Sequence, residues 1–92
     1  MKLSYNALQK LYSSSNYSIE EENSIIKIFY YPPSYSEASG IEEDVNRTIE
    51  ITGKKENNYI EIIDAKIIEN GKEVRKMDDS ELGFWIEFIE GE

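Results

Sequence analysis

The segment NYIEIIDAKIIENGKEVRK, residues 58–76, contains the densest run of apolar residues in the sequence and its clearest turn. Its first half is rich in isoleucine, which favours β-strands because branched side chains pack well on a pleated surface. The segment then reaches Asn70-Gly71. This pair is typical of two-residue hairpin turns, because both residues tolerate the positive φ angles of a type I′ turn. We therefore predict a β-hairpin in which Tyr59–Glu69 pairs with Lys72–Lys76.

The residues before the hairpin predict one helix and two further strands. Apolar residues recur at helical spacing near the N-terminus, and Ser4 is placed to cap a helix over about residues 4–14. Residues 24–31 are β-branched and aromatic, and residues 45–52 alternate between apolar and polar, so both segments predict strands. The acidic run Glu20–Glu22 is interpreted as a charged connector or the entry to a strand.

The C-terminal segment has two interpretations. Apolar residues at helical spacing favour a helix, as does the resemblance of Asp78 and Glu81 to a capping box. Gly83 and the aromatic residues near it favour a strand instead. The helix is preferred, and its predicted apolar stripe consists of Leu82, Trp85, Ile86 and Ile89. Trp85 and Phe88 are both expected to close the core.

These elements fit one domain over residues 1–92, since a chain of this length has no room for a second core. The predicted fold class is α+β. An N-terminal helix would pack on a mainly antiparallel sheet of about four strands. The C-terminal segment would be a short helix or a further strand.

Composition excludes several kinds of chemistry. The sequence has no cysteine for disulfides or thiolate metal sites, and no histidine for proton transfer near neutral pH. Its carboxylates are clustered in segments expected to be solvated, so they lack the contrasting environments that paired catalytic acids need. No apolar run approaches the length of a membrane span. We therefore expect a cytoplasmic protein that is not an enzyme and uses no metal or cofactor.

The charge distribution predicts the kind of partner. The sequence has 19 acidic and 10 basic residues, for a net charge of −9, and the acids concentrate between residues 20–44 and 78–92. The bases around the hairpin alternate with acids, which predicts charge pairs across strands. A negative field repels nucleic acid and anionic membranes but attracts basic protein surfaces. The carboxylates predicted to bind such a surface are Glu42, Glu43, Asp44, Asp78, Asp79 and Glu81.

Tyrosines beside Pro32-Pro33 add a second candidate contact. Tyrosine offers a large apolar ring with a polar tip, which suits protein interfaces. Tyr31 and Tyr35 are therefore predicted to bind a partner, with alternate aromatic residues of the preceding strand packing in the core.

In kind, the sequence is similar to small acidic phage proteins that act against host defences, including anti-CRISPR proteins and DNA mimics. The likeness lies in size, in the lack of Cys and His, in the Ile/Glu/Asn/Lys usage, and in acidic blocks such as Glu42-Glu43-Asp44 and Asp78-Asp79. It covers the chain as composition and includes no family motif. It implies a stoichiometric inhibitor in the host-cell cytoplasm, whose carboxylates occupy a basic nucleic-acid channel of the target.

Two other functions remain open. The protein would be a structural or assembly subunit if the sheet edge or the tyrosine face formed a homodimer, with the charge serving solubility. An immunity protein or antitoxin that neutralises a basic toxin would use the same physics as the inhibitor. In each case the partner is a protein, with no direct contact to nucleic acid or membrane.

Overall fold

The computed structural model describes residues 1–32 and 47–91. Strands account for 49% of these residues and helices for 26%. The elements in chain order are β1 (Lys2–Leu3), α1 (Tyr5–Tyr12), β2 (Tyr17–Glu22), β3 (Ile25–Tyr30), β4 (Arg47–Lys55), β5 (Ile60–Glu69), β6 (Lys72–Lys76) and α2 (Asp79–Glu90). The predicted fold class, an α+β domain with about four strands, is therefore wrong, because the described chain is mostly sheet.

The six strands form one antiparallel sheet that curls into half of a barrel. Strands β2 to β5 lie side by side in chain order. Both β1 and β6 pair with the free edge of β5, β1 beside residues 60–61 and β6 beside residues 66–69. The two helices pack on one face of this sheet, where their buried residues and those of the strands form a single core cluster. We call this the inner face, and the opposite one the outer face.

The hairpin predicted at Asn70-Gly71 is confirmed. Glu69 pairs with Lys72, and the turn residues have φ angles of 52° and 83°. Both angles are positive, as a type I′ turn requires. The strand β5 begins at Ile60 and β6 ends at Lys76, within a residue of the predicted bounds.

A bulge in β5 determines which of its residues are buried. Thr52 and Gly53 are consecutive in β4, but their partners in β5 are Asp64 and Ile62. Ile63 is therefore an extra residue without a partner on β4. Because side chains alternate between the two faces of a strand, an extra residue exchanges the inward and outward positions. The buried positions are therefore even-numbered before the bulge and odd-numbered after it: Ile60, Ile62, Ala65 and Ile67.

Two strands were not predicted. Tyr17–Glu22 forms β2, which pairs along its length with β3 through a two-residue turn in which Asn23 has a φ of 57°. Glutamate is uncommon in strands, but β2 lies at the edge of the sheet, where its carboxylates stay in water. The strand β1 is too short to give a periodic pattern. The prediction of about four strands fails at these two elements.

Both helices start at side-chain caps. Ser4 Oγ accepts a hydrogen bond from the Ala7 amide at 3.0 Å, which confirms the cap predicted for α1. The C-terminal segment is a helix, since α2 begins with a complete capping box between Asp78 and Glu81. Within the described ranges, no helix is long and apolar enough to cross a membrane.

Candidate protein-binding surface

Four of the eight residues predicted to bind a partner lie outside the described ranges: Tyr35, Glu42, Glu43 and Asp44. The other four are Tyr31, just after β3, and three carboxylates at the start of α2. Tyr31 is 45% exposed, and its amide donates to the Asn16 carbonyl at 2.9 Å. Its backbone is therefore held at the end of the β2–β3 pair, while its side chain is open to solvent.

Of the three predicted carboxylates at the start of α2, two make hydrogen bonds or ion pairs within the protein. Asp78 Oδ1 accepts from the Glu81 amide at 2.8 Å, and Glu81 Oε1 accepts from the Asp78 amide at 3.2 Å. Arg75 on β6 also donates to both oxygens of Glu81, at 2.5 and 2.7 Å. These contacts, Arg75 first, lower the pKa of Glu81 to about 2. Asp79 differs from both, because its carboxylate makes no hydrogen bond or ion pair to the described residues.

Ion pairs involve most of the bases on the sheet. Most of them join neighbouring strands, as predicted for the hairpin, while Lys55–Glu21 spans from β4 to β2 across β3, and Arg75–Glu81 joins the sheet to α2. The pairs are Lys27–Glu50, Arg47–Glu69, Lys55–Glu21, Lys66–Glu50, Lys66–Glu73, Arg75–Glu81 and Lys76–Asp64. Within residues 1–32 and 47–91, five carboxylates have neither an ion pair nor a side-chain hydrogen bond: Glu20, Glu22, Glu56, Asp79 and Glu87.

The acids of β2 divide between the two faces of the sheet. Glu21 accepts hydrogen bonds from the Tyr12 hydroxyl of α1 and from Lys55 Nζ, the latter at 2.6 Å. Its carboxylate raises the pKa of Tyr12 to about 12. Glu20 and Glu22 have the opposite parity and lie on the outer face. Lys27 is the cross-strand partner of Glu20, but its amino group lies 3.7 Å from Glu50 instead.

The outward side of α2 combines aromatic rings with carboxylates. Leu82, Trp85 and Ile89 are buried beneath the helix. Phe84 and Phe88 lie one turn apart on the other side, with 72% and 61% of their surface exposed. Asp79 and Glu87 lie beside them, and α2 contains no lysine or arginine. We call Asp79, Gly83, Phe84, Glu87 and Phe88 the α2 outer surface. It is the side of α2 that points away from the sheet, and it is distinct from the outer face of the sheet.

The expectation that Phe88 closes the core is wrong, whereas Trp85 does so. Trp85 is 9% exposed, and its Nε1 donates to the Tyr17 hydroxyl at 3.1 Å. The exposed pair could have been found from the sequence. A helix that buries residues 82, 85 and 89 turns residues 84 and 88 away from the core.

No group of three or more metal-ligating side chains comes together in the part of the chain that the structure describes. What that part presents instead is an outer face with free carboxylates on β2, and a helix with aromatic rings between carboxylates. Comparison with known proteins gives no further assignment: no family model, no curated protein and no solved structure matches this chain.

Proposed function

We propose that this protein is a non-catalytic inhibitor that binds a basic, nucleic-acid-handling protein, with its carboxylates in the place of phosphates. The observation that carries the proposal is which charged side chains form ion pairs within the protein and which do not. Most bases on the sheet have a carboxylate partner, while five carboxylates of the described chain have none. Of these five carboxylates, Glu20, Glu22, Asp79 and Glu87 are exposed and can meet a partner directly.

Free carboxylates favour a basic partner for a physical reason. A carboxylate already paired with lysine has lost much of its field, whereas an unpaired one attracts cations over roughly 8–10 Å at physiological salt. Such groups speed association with a surface of opposite sign and make it sensitive to ionic strength. A channel lined with lysine and arginine for phosphates presents that surface.

Among the described strands, the carboxylates without a partner are Glu20 and Glu22, both on the outer face of β2. They lie two positions apart on an extended strand, a separation of about 7 Å. The predicted contacts at Glu42, Glu43, Asp44, Tyr31 and Tyr35 belong to the same proposal. An anti-CRISPR protein or DNA mimic acting in the host-cell cytoplasm is its narrower form.

The test is a pull-down from host lysate in which bound proteins are eluted with a double-stranded DNA oligonucleotide. We expect the DNA to displace a basic, nucleic-acid-binding protein. The substitutions Glu20→Lys and Glu22→Lys together should weaken its retention at least tenfold. The control is Glu61→Lys with Glu73→Lys, which changes the net charge equally at carboxylates that already have cationic partners.

The proposal fails if the retained proteins are not displaced by DNA, or if the two double variants behave alike. A protein that instead self-associates, and loses this association when Tyr31 becomes Ala, would be the assembly subunit.

A further inference from the structure

Gly83 lies in the interior of α2, where glycine destabilises a helix relative to alanine. The described part of the chain gives no steric reason for a glycine here. Among the residues that the structure describes, a Cβ built at this position would meet only the Met1 Cε, at 3.9 Å, which is an ordinary contact. The space above Gly83 is therefore open on the surface of the protein.

This open space adjoins the exposed aromatic pair. Phe84 and Phe88 form a ridge along the helix, since residues one turn apart lie on the same face. Beside the ridge is a shallow depression of about 190 Å³, lined by Asp79, Ser80, Gly83, Phe84 and Glu87. Ridges and depressions of this kind are how two helices pack against each other. Because Gly83 has no side chain, a second helix can approach closely at this point.

We propose that the α2 outer surface is a docking site for an amphipathic helix of a partner protein, with an apolar stripe flanked by lysine or arginine. The partner's apolar side chains would enter the depression at Gly83, and Phe84 and Phe88 would pack in the grooves of its helix. This inference rests on the proposed function, because it supplies a contact surface for the basic partner.

The carboxylates beside the ridge favour lysine or arginine on either side of the partner's apolar stripe. Asp79 and Glu87 border the ridge, and neither has an ion pair within the described residues. A symmetric dimer would bring the α2 outer surface against its own copy, so carboxylates would face only carboxylates. With a net charge of −9 on each chain, that pairing is unfavourable. A helix with basic flanks meets the same carboxylates with opposite charges.

The probe is a synthetic amphipathic helix of leucine and lysine, about 18 residues long so that it can form five turns. It is titrated into the isotope-labelled full-length protein, and amide shifts are followed by NMR. We expect the largest shifts at α2. A peptide of the same composition with its leucines scattered should bind at least tenfold more weakly, because it has the charge but no stripe.

Two variants test the contact itself. Phe84→Ser with Phe88→Ser should weaken binding of the amphipathic peptide at least tenfold. A matched control, Ile63→Ser with Val74→Ser, removes two other exposed apolar side chains and should leave binding unchanged. Gly83→Ala should also weaken binding, while its urea midpoint rises, because the methyl group fills the depression but favours the helix.

The inference is wrong if the amphipathic peptide fails to bind, shifts residues away from α2, or binds the phenylalanine variant as tightly as the original protein. It is also wrong if sedimentation shows a dimer that Phe84→Ser dissociates. If the DNA-displaced partner is lost with Glu20→Lys and Glu22→Lys but kept by the phenylalanine variant, the proposed function stands and this surface does not.

Discussion

Gly53 and Gly83 show how the atoms around a glycine determine whether its substitution by alanine raises or lowers stability. A Cβ at Gly53 in β4 would lie 2.5 Å from Ile60 Cγ2 and 3.3 Å from the Glu61 carbonyl oxygen. At Gly83 the nearest atom is 3.9 Å away. We expect Gly53→Ala to destabilise the protein by about 1–3 kcal/mol through overpacking. Gly83→Ala should stabilise it by up to about 1 kcal/mol. Urea unfolding of both variants measures the difference, and equal midpoints would contradict it.

Arg75 couples the ionisation of Glu81 to folding, because the two side chains pair in the folded protein. It is the largest of the influences that lower the pKa of Glu81 from 4.5 to about 2. A lowered pKa in the folded state favours folding above the unfolded pKa, and that contribution is lost as the pH falls from about 4.5 towards 2. Arg75→Gln should raise the pKa of Glu81, measured by NMR titration of its carboxyl carbon. The value should stay below 4.5, because the hydrogen bond from the Asp78 amide remains. Arg47→Gln is the control, since Arg47 pairs with Glu69 and should leave Glu81 unchanged.

At the scale of elements, the β5–β6 hairpin depends on its turn. Gly71 has a φ of 83°, which a β-branched residue resists. Gly71→Val should therefore lower the free energy of unfolding by about 1 kcal/mol or more. Gly71→Asn should cost less, because asparagine tolerates this conformation. The hairpin's role in stability would be refuted by unchanged urea midpoints for both variants.

The helix α1 is predicted to hold the inner face of the sheet through Leu8 and its neighbours. Leu8 is 3% exposed and belongs to the core cluster. Truncation to alanine should cost about 2–4 kcal/mol, because it leaves a cavity between helix and strands. Gln9→Ala, on the exposed side of the same helix, is the matched control. Thermal or urea unfolding that does not separate the two variants would contradict this packing.

The elements that could be predicted from the sequence are those whose signal is local. The Asn70-Gly71 turn, the Ser4 cap and the isoleucine-rich strands each follow from a few neighbouring residues. The strand β2 does not, because three consecutive glutamates read as a connector until β3 is known to lie beside them. The candidate site shows the same limit. The capping-box contact of Asp78 is local and was predicted, but the pairing of Glu81 with Arg75 joins two elements, and with both in place only Asp79 of the three acids is free within the described residues.

For the whole molecule, the net charge of −9 governs how it meets other proteins. Exposed charges act over roughly a Debye length, which shrinks from about 10 Å at 0.1 M salt to about 3 Å at 1 M. Binding to a basic partner should therefore weaken steeply as salt rises. An assembly subunit held by apolar contacts should behave in the opposite way, since its like-charged copies repel less at high salt. Sedimentation at about 0.05 M and about 0.5 M NaCl distinguishes these behaviours.

A triple charge reversal tests which residues bind the basic partner: Glu42→Lys, Glu43→Lys and Asp44→Lys. Together they should abolish binding to the basic partner and leave the circular dichroism spectrum unchanged, since these acids are predicted to be solvated. The matched control reverses three acids that already have cationic partners: Glu61, Asp64 and Glu73. It alters the net charge equally, so a larger loss for the first variant assigns binding to those three acids rather than to total charge. Equal losses would mean that the field of the whole protein attracts the partner. A salt-insensitive dimer that neither variant disturbs, but that Tyr31→Ala or Tyr35→Ala dissociates, would replace the inhibitor with the assembly subunit.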